Sequence, residues 1–307
     1  MTRPILNVEQ GFDPTVIEKV ERLLEVLDTI AANPYLAPRL VLHGGTALNV
    51  FHANLPRMSV DIDLAYVGSD EVAVMRRERP SIDVELRRIG SGLGYGMRSL
   101  HDEHAGQSYR LTYGTDYIKI DVNYLDRVPL LEPEHLLCPS CRPGVSFAVR
   151  PLPELLAGKA GALIDREAPR DLYDIYRLAG DVGAPRLDSG LARGLVVHAV
   201  SLTDRFPFER GFTQALERFG RFTRAQEDAV ASMLRVGDAP SLDEMRSAVA
   251  KYLAPVESPT PAETEYMRLL ADEAIYAPQM ILPEAVAARA ARSPVAKWKV
   301  ENLRLML

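Results

Sequence analysis

Apolar residues recur at helical spacing between Asp13 and Ala31, where Ile17, Val20, Leu23, Leu24, Leu27 and Ile30 mark one face. The pattern predicts an amphipathic helix lying on a core, with Asp13 as N-cap and Pro14 just inside the start. The period then changes. "RLVLHGG" reads as a short strand ending at glycine, and "TALNVFHA" as a short helix. In "SVDIDLAYVG", Val60, Ile62 and Leu64 alternate with Ser59, Asp61 and Asp63, as a half-buried strand requires. Ser69 and Asp70 are placed to cap a long polar helix reaching about Leu93, which Pro80 is expected to bend or split. "SYRLTYG" and "YIKIDVNYL" predict a hairpin turning near Gly114 and Thr115, and "VSFAVRPL" supplies a final strand.

After about Pro153 the alternation fades. "ELLAGKAGALIDR" and "PRDLYDIYRLAG" predict a helical pair, with Pro169 just inside the second start, and the remainder is helix-like with proline breaks. The expected fold is α+β: a mixed-sheet domain with flanking helices over residues 1–150, then a mostly helical domain over 151–307. No internal repeat is visible.

Composition narrows the class without naming a function. At 307 residues, 47% hydrophobic and 25% charged, the chain has the make-up of a globular protein. No uncharged apolar run approaches the roughly 20 residues a membrane span needs, and "MTRPILNVEQGFDP" lacks the apolar core of a signal peptide. A cytoplasmic location is the expectation. A net charge of −6 argues against indiscriminate coating of nucleic acid, though not against local basic surface. Only six of the 36 basic residues are lysines, so each lysine calls for a specific reason. Cys138 and Cys141 form one C-x-x-C, to which His135 adds at most a third ligand; this falls short of a zinc site's four ligands and favours two reduced thiols.

The chemistry-bearing stretch is "LHGGTALNVFHANLPRMSVDIDLAYVG", residues 42–68. Asp61 and Asp63 share one strand face about 7 Å apart, and two like charges that close need a compensating cation. A divalent ion together with nucleotide phosphates would supply it; an exposed face or a salt-bridged pair would equally account for D-x-D alone. Upstream, Gly44 and Gly45 leave a strand and open a helix at Thr46. Their bare backbone suits phosphate binding, or simply a tight strand-to-helix turn. Asp121, between Ile120 and Val122, is placed to complete a two-metal site or to activate an attacking hydroxyl; a bland pairing with Lys119 or Lys159 is the competing reading.

These residues resemble the nucleotidyltransferase superfamily with the polymerase-β-like fold. More narrowly, "GGTALN", "RMSVDIDL", "IKIDVNYLDRVPL" and "GKAGALIDREAPRDLYDIY", in that order over roughly residues 40 to 180, resemble the AbiEii/AbiGii toxin family, which includes the mycobacterial MenT toxins. The resemblance implies a toxin held in check by a cognate antitoxin. It implies Mg²⁺-dependent transfer (with Mn²⁺ as a substitute) of nucleotides from an NTP to the 3′ acceptor end of tRNA, which blocks aminoacylation and translation. By motif position, Asp61 matches the essential metal-binding aspartate, Ser59 the small hydroxyl residue two before it, Lys159 the lysine of the helical motif and Asp174 the acid ending it. The G-G-T here replaces the G-S usual in the wider superfamily.

Asp61, Asp63 and Asp121 are thus the expected metal ligands, and Gly44, Gly45, Thr46, Ser59, Lys159, Arg166 and Arg170 the expected phosphate contacts. Lys159 and Arg166 share a helix face, and a short turn at Pro169 can bring Lys159 near Asp174. Lys159 would offset charge developing on the triphosphate; a structural salt-bridge network is the alternative, and Arg166 with Asp171 suits it well. Ser59 would line the site or accept a phosphate that blocks it, or else be a strand serine facing solvent. His43 and His52 beside the glycines read as packed residues rather than catalysts. The C-terminal "AARAARSPVAKWKVENLRLML", with Trp298 between Lys297 and Lys299, is a candidate RNA grip, against a solvated helix with its tryptophan packed inward. "MRRERPSIDVELRR" at 75–88 is a second, diluted candidate. Other acceptors, a protein or a small molecule such as an antibiotic, and a non-catalytic binding protein are the alternatives.

Overall fold

The computed structural model describes residues 3–7, 11–102, 105–166, 168–181, 183–206, 211–218, 228 and 230–307. The chain divides into two compact units, Met1–Pro151 with Met233–Val236, and Leu152–Ser232 with Gly237–Leu307.

In the first unit a seven-stranded mixed sheet runs in the order β4-β5-β6-β3-β2-β9-β7. Its strands are β2 (Leu40–His43), β3 (Asp61–Tyr66), β4 (Gly96–Asp102), β5 (Gly106–Tyr113), β6 (Asp116–Asn123), β7 (Glu134–Leu137) and β9 (Ser146–Val149). The pair β1 (Ile5–Leu6) and β8 (Cys141–Arg142) forms a small separate ladder. Two pairings are parallel, β3 with β6 and β2 with β9. The expected hairpin is β5–β6, whose two-residue connection includes Gly114 at φ +52.

Helix α1 (Pro14–Ala31) begins as expected: Asp13 accepts a hydrogen bond from the Thr15 amide at 2.8 Å. It buries Val20, Leu23, Leu24, Val26, Leu27 and Ile30 against β6, β9 and α3 (Val72–Gly92). On the strands, Ile62, Leu64, Ile118, Ile120, Val122, Tyr109 and Leu111 are buried, while the residues between them reach the other face. That alternation separates an apolar, helix-covered side from a polar one.

Two local expectations change. Pro80 does not split α3; the helix runs continuously from Val72 to Gly92, and Glu71, not Ser69 or Asp70, is its N-cap. The short helix after β2 starts as α2 (Gly44–Thr46) and widens at once into a π-helical turn over Ala47–His52. Cys138 and Cys141 are free, buried thiols. Cys141, its thiol lowered to about 7 chiefly by its hydrogen bond with Cys138, accepts from the Val145 amide at 3.3 Å.

Among its described residues the second unit holds helices joined by turns and loops, and no strand. Helices α4 (Leu152–Arg166) and α5 (Pro169–Ala179) form the expected hairpin, followed by α6 (Gly190–Ser201), α7 (Phe212–Arg218), α8 (Leu242–Glu257), α9 (Pro261–Glu273), α10 (Glu284–Arg292) and α11 (Pro294–Arg304). Val197, Tyr266, Leu270, Val300 and Leu303 belong to one of its cores. Arg193 ties α6 to the start of α9, pairing with Glu263 at 2.7 Å and donating to the Pro255 and Ser258 carbonyls. Glu263 in turn completes a capping box with Thr260. Among the described residues no helix is long and apolar enough to cross a membrane.

Candidate active site

The glycine turn is built by sterics. Gly44 adopts φ +71, a left-handed conformation that other residues reach only with strain. A β-carbon there would also fall inside the Asp63 carboxylate. At Gly45 a β-carbon would lie 2.8 Å from the Ser59 hydroxyl and 3.0 Å from Arg57 Nη2. The two glycines therefore let the turn close onto Asp63, Ser59 and Arg57.

Thr46 then fastens the turn to the acidic strand. Fully buried, it donates its hydroxyl to the Asp61 carbonyl at 2.5 Å and lies 3.0 Å from the Ser59 hydroxyl. Its side chain is directed into the fold, so only its backbone is left to face a phosphate. Ser59 is 6% exposed, which replaces the solvent-facing strand serine of the bland reading. It precedes β3 and packs under the glycine turn.

Register decides how the carboxylates meet. β3 and β6 are parallel neighbours with Asp61 opposite Lys119 and Asp63 opposite Asp121. Neighbouring strands lie about 4.8 Å apart, so all three aspartates share the polar face, each half-buried. Asp121 is not idle there. It accepts from the Lys119 ammonium at 2.6 Å and from the Ser108 hydroxyl at 2.5 Å, so the pairing with Lys119 is the one the structure contains. Burial pulls the Lys119 pKa down, but the hydrogen bond and charge of Asp121, with the charges of Asp61 and Asp63, outweigh it and leave the ammonium above its ordinary value. A cleft of about 360 Å³ borders this spot, lined in part by Gln107, Ser108, Lys119, Asp121 and Asn123.

The donor set suits a hard divalent ion: half-buried carboxylates on one sheet face, the chemistry that such an ion prefers. Among the described residues no three His, Cys, Asp or Glu side chains are already gathered as a metal group. Asp61 and Asp63 lie two apart on β3, and Asp121 beside them is held by Lys119 and Ser108.

In the second unit the hairpin brings together the helical motif. Lys159 donates to Asp171 at 2.9 Å and pairs with Asp174 at 2.7 Å. Arg166 closes the group with two contacts to Asp171, at 2.7 and 2.9 Å. The Lys159 side chain is 6% exposed and both aspartates 0%. Burial alone would raise the Asp171 pKa, but the charges and hydrogen bonds of Lys159 and Arg166 overcome it and hold the carboxyl below its ordinary value. This is the salt-bridge network anticipated for Arg166 and Asp171, with Lys159 and Asp174 drawn into it. Arg170 lies partly exposed at the start of α5.

One residue of the first site escaped the sequence reading, and another, Lys119, entered it only as a possible partner of Asp121. Arg57, 2% exposed, donates from Nη1 to the Met58 carbonyl at 2.9 Å and reaches the Met233 sulfur at 3.9 Å. It links the glycine turn to the strap Met233–Val236, whose Met233 carbonyl also accepts from the Met58 amide at 2.8 Å. Nothing in the periodicity announces a contact across so many residues. Lys119 carried a signal, since lysine is scarce in this chain.

The remaining candidates fall outside both groups. His52 bonds the Arg150 carbonyl at 3.0 Å, and burial lowers its pKa. The C-terminal RNA grip is altered: Lys299 is buried, donating to the Thr203 and Phe206 carbonyls at 2.7 Å each. Trp298 is 48% exposed, contrary to the inward packing expected.

Comparison with known proteins agrees with this architecture. A family model described as "Nucleotidyl transferase AbiEii toxin, Type IV TA system" matches residues 25–262. No curated protein sequence matches significantly. Among solved structures, MenT4, a nucleotidyltransferase toxin from Mycobacterium tuberculosis H37Rv, is similar in fold with a TM-score of 0.60 at 17% identity, covering 94% of this chain and 93% of that one. A match to the E. coli MS115-1 CdnC:HORMA-deltaN complex has 14% identity over 93% of each chain, but its TM-score of 0.28 is too low to carry weight. A model that spans most of the chain, glycine turn and aspartate strand included, settles the family: this is a nucleotidyltransferase of the AbiEii toxin family of type IV toxin–antitoxin systems.

Proposed function

We propose that the protein transfers nucleotides from an NTP to the 3′ acceptor end of tRNA in a Mg²⁺-dependent reaction, blocking aminoacylation and translation until a cognate antitoxin restrains it. The observation that carries the catalytic half of this reading is the register of β3 and β6, which sets Asp61, Asp63 and Asp121 on one sheet face, with Asp63 against the glycine turn. What supports the tRNA acceptor is the motif resemblance to the toxin family that includes the MenT toxins. A bound Mg²⁺, or Mn²⁺ in its place, would be held by Asp61 and Asp63 and would supply charge neutralisation for the triphosphate.

The chain's own residues do the rest. Backbone amides of Gly44, Gly45 and Thr46 approach the phosphates, with the Ser59 hydroxyl and Arg57 guanidinium beneath. The acceptor's 3′-oxygen attacks the α-phosphorus; that P–O bond forms as the α–β bridging bond breaks, and pyrophosphate leaves. The hydroxyl's proton passes to the Asp121 carboxylate, which already accepts two hydrogen bonds at this face. By motif position Lys159 and Asp174, with Arg166 and Arg170 near them in sequence, make up the family's helical motif, and here Lys159, Asp171, Asp174 and Arg166 bond to one another.

The test is label transfer. Purified protein with Mg²⁺ is given each labelled NTP in turn, with total tRNA or with cell extract. Label on tRNA, lost in Asp61→Asn, is the expected result. Label on protein or on a small molecule instead would move the acceptor, and no label anywhere would overturn the catalytic reading.

A further inference from the structure

We infer that Lys119 is a resident counter-cation of the acidic face, occupying a charge position that a divalent ion takes, and that it sets the threshold for metal entry. This rests on the metal reading proposed above and concerns a residue that reading does not use. Three carboxylates on one sheet face repel one another, and some positive charge has to offset them. Lys119 is placed for that task by register: it faces Asp61 across β3–β6 and grips Asp121 at 2.6 Å.

Two further cations of the neighbourhood make contacts of their own. Arg110, opposite Lys119 across β5–β6, stacks over the Tyr117 ring at 4.0 Å. Arg57 is held under the glycine turn by Met58 and Met233. Lys119 is also the group best able to move. Its side chain is 36% exposed and that of Asp121 32%, so the contact can open into the adjoining cleft without leaving a buried charge behind. A metal–nucleotide complex arriving at Asp61 and Asp63 would repel the ammonium, free Asp121, and leave Lys119 positioned to meet a phosphate.

The experiment is calorimetric titration of Mn²⁺ into the full chain without nucleotide, a readout independent of turnover. Lys119→Gln should bind Mn²⁺ on the order of tenfold more tightly than the wild type, because a like charge near a divalent ion is removed. Lys119→Arg should bind as the wild type does. Asp61→Asn should abolish binding in both backgrounds. If Lys119→Gln binds no better than the wild type while Asp61→Asn still abolishes binding, the inference falls and the metal reading stands. If Mn²⁺ binding without nucleotide is absent or indifferent to Asp61, the inference falls, and the metal reading is decided by the label-transfer test with Asp61→Asn. Circular dichroism checks each variant's fold, and Lys119→Met replaces the glutamine should that variant misfold.

Discussion

Lys119 and Lys159 both sit against aspartates, at 2.6 Å in one case and at 2.7 and 2.9 Å in the other. Their surroundings differ completely. Lys119 and Asp121 are each about one-third exposed on a sheet face, where water shares the work of solvating them. Lys159 is enclosed with two fully buried carboxylates, and Arg166 supplies a second positive charge to Asp171. An exposed pair contributes little to stability and exchanges partners readily. A buried one resists any change that leaves a charge uncompensated. The same ion-pair chemistry thus makes a site open to ligands in one unit and a rigid bracket between two helices in the other.

The sharpest way to break this comparison is Lys159→Met. It leaves Asp171 and Asp174 buried without their shared cation, and about 3–5 kcal/mol of stability should be lost in urea denaturation. A loss under about 1 kcal/mol would mean that the group is not structural. Asp61→Asn should do the reverse, cutting label transfer by about two to three orders of magnitude while moving the unfolding midpoint little. Gly44→Ala combines a strained φ with a clash against Asp63, and about 1–3 kcal/mol of destabilisation together with reduced transfer is expected.

The bracket should also show in acid. The Asp171 pKa is depressed in the folded state, so its contribution is fully present above the unfolded carboxylate value of about 3.9. It is lost as pH falls through the lower folded value. Asp171→Asn should therefore flatten the stability–pH curve below about pH 4, measured by thermal melts from pH 2 to 6. The smallest effect belongs to the exposed pair: Lys119→Gln should change folding stability by under about 1 kcal/mol.

Local order was legible in the chain wherever one period and one cap decide it. α1 and its Asp13 cap, the β5–β6 hairpin and the α4–α5 pair all follow from patterns within about 20 residues. Pro80 shows the limit. Its penalty is local, and the helix containing it still buries Met75, Ile82, Leu86 and Ile89, so packing outweighs the residue's own preference. Trp298 and Lys299 show another: adjacent helix positions point about 100° apart, and the core beside α11 received the lysine stem rather than the indole.

The sequence by itself determined the ingredients of the site: two aspartates on one strand face, a glycine pair at a strand end, and a lysine within reach of an acid across a helical turn. Each follows from covalent spacing and the fixed periods of strand and helix. Only the tertiary structure decided that Asp121 stands opposite Asp63, that Lys119 holds it, that Thr46 and Ser59 turn inward, and that a strap near residue 233 reaches Arg57. Register and long-range return are set by which apolar faces bury together, and that energy is a property of the whole packed unit rather than of any short segment.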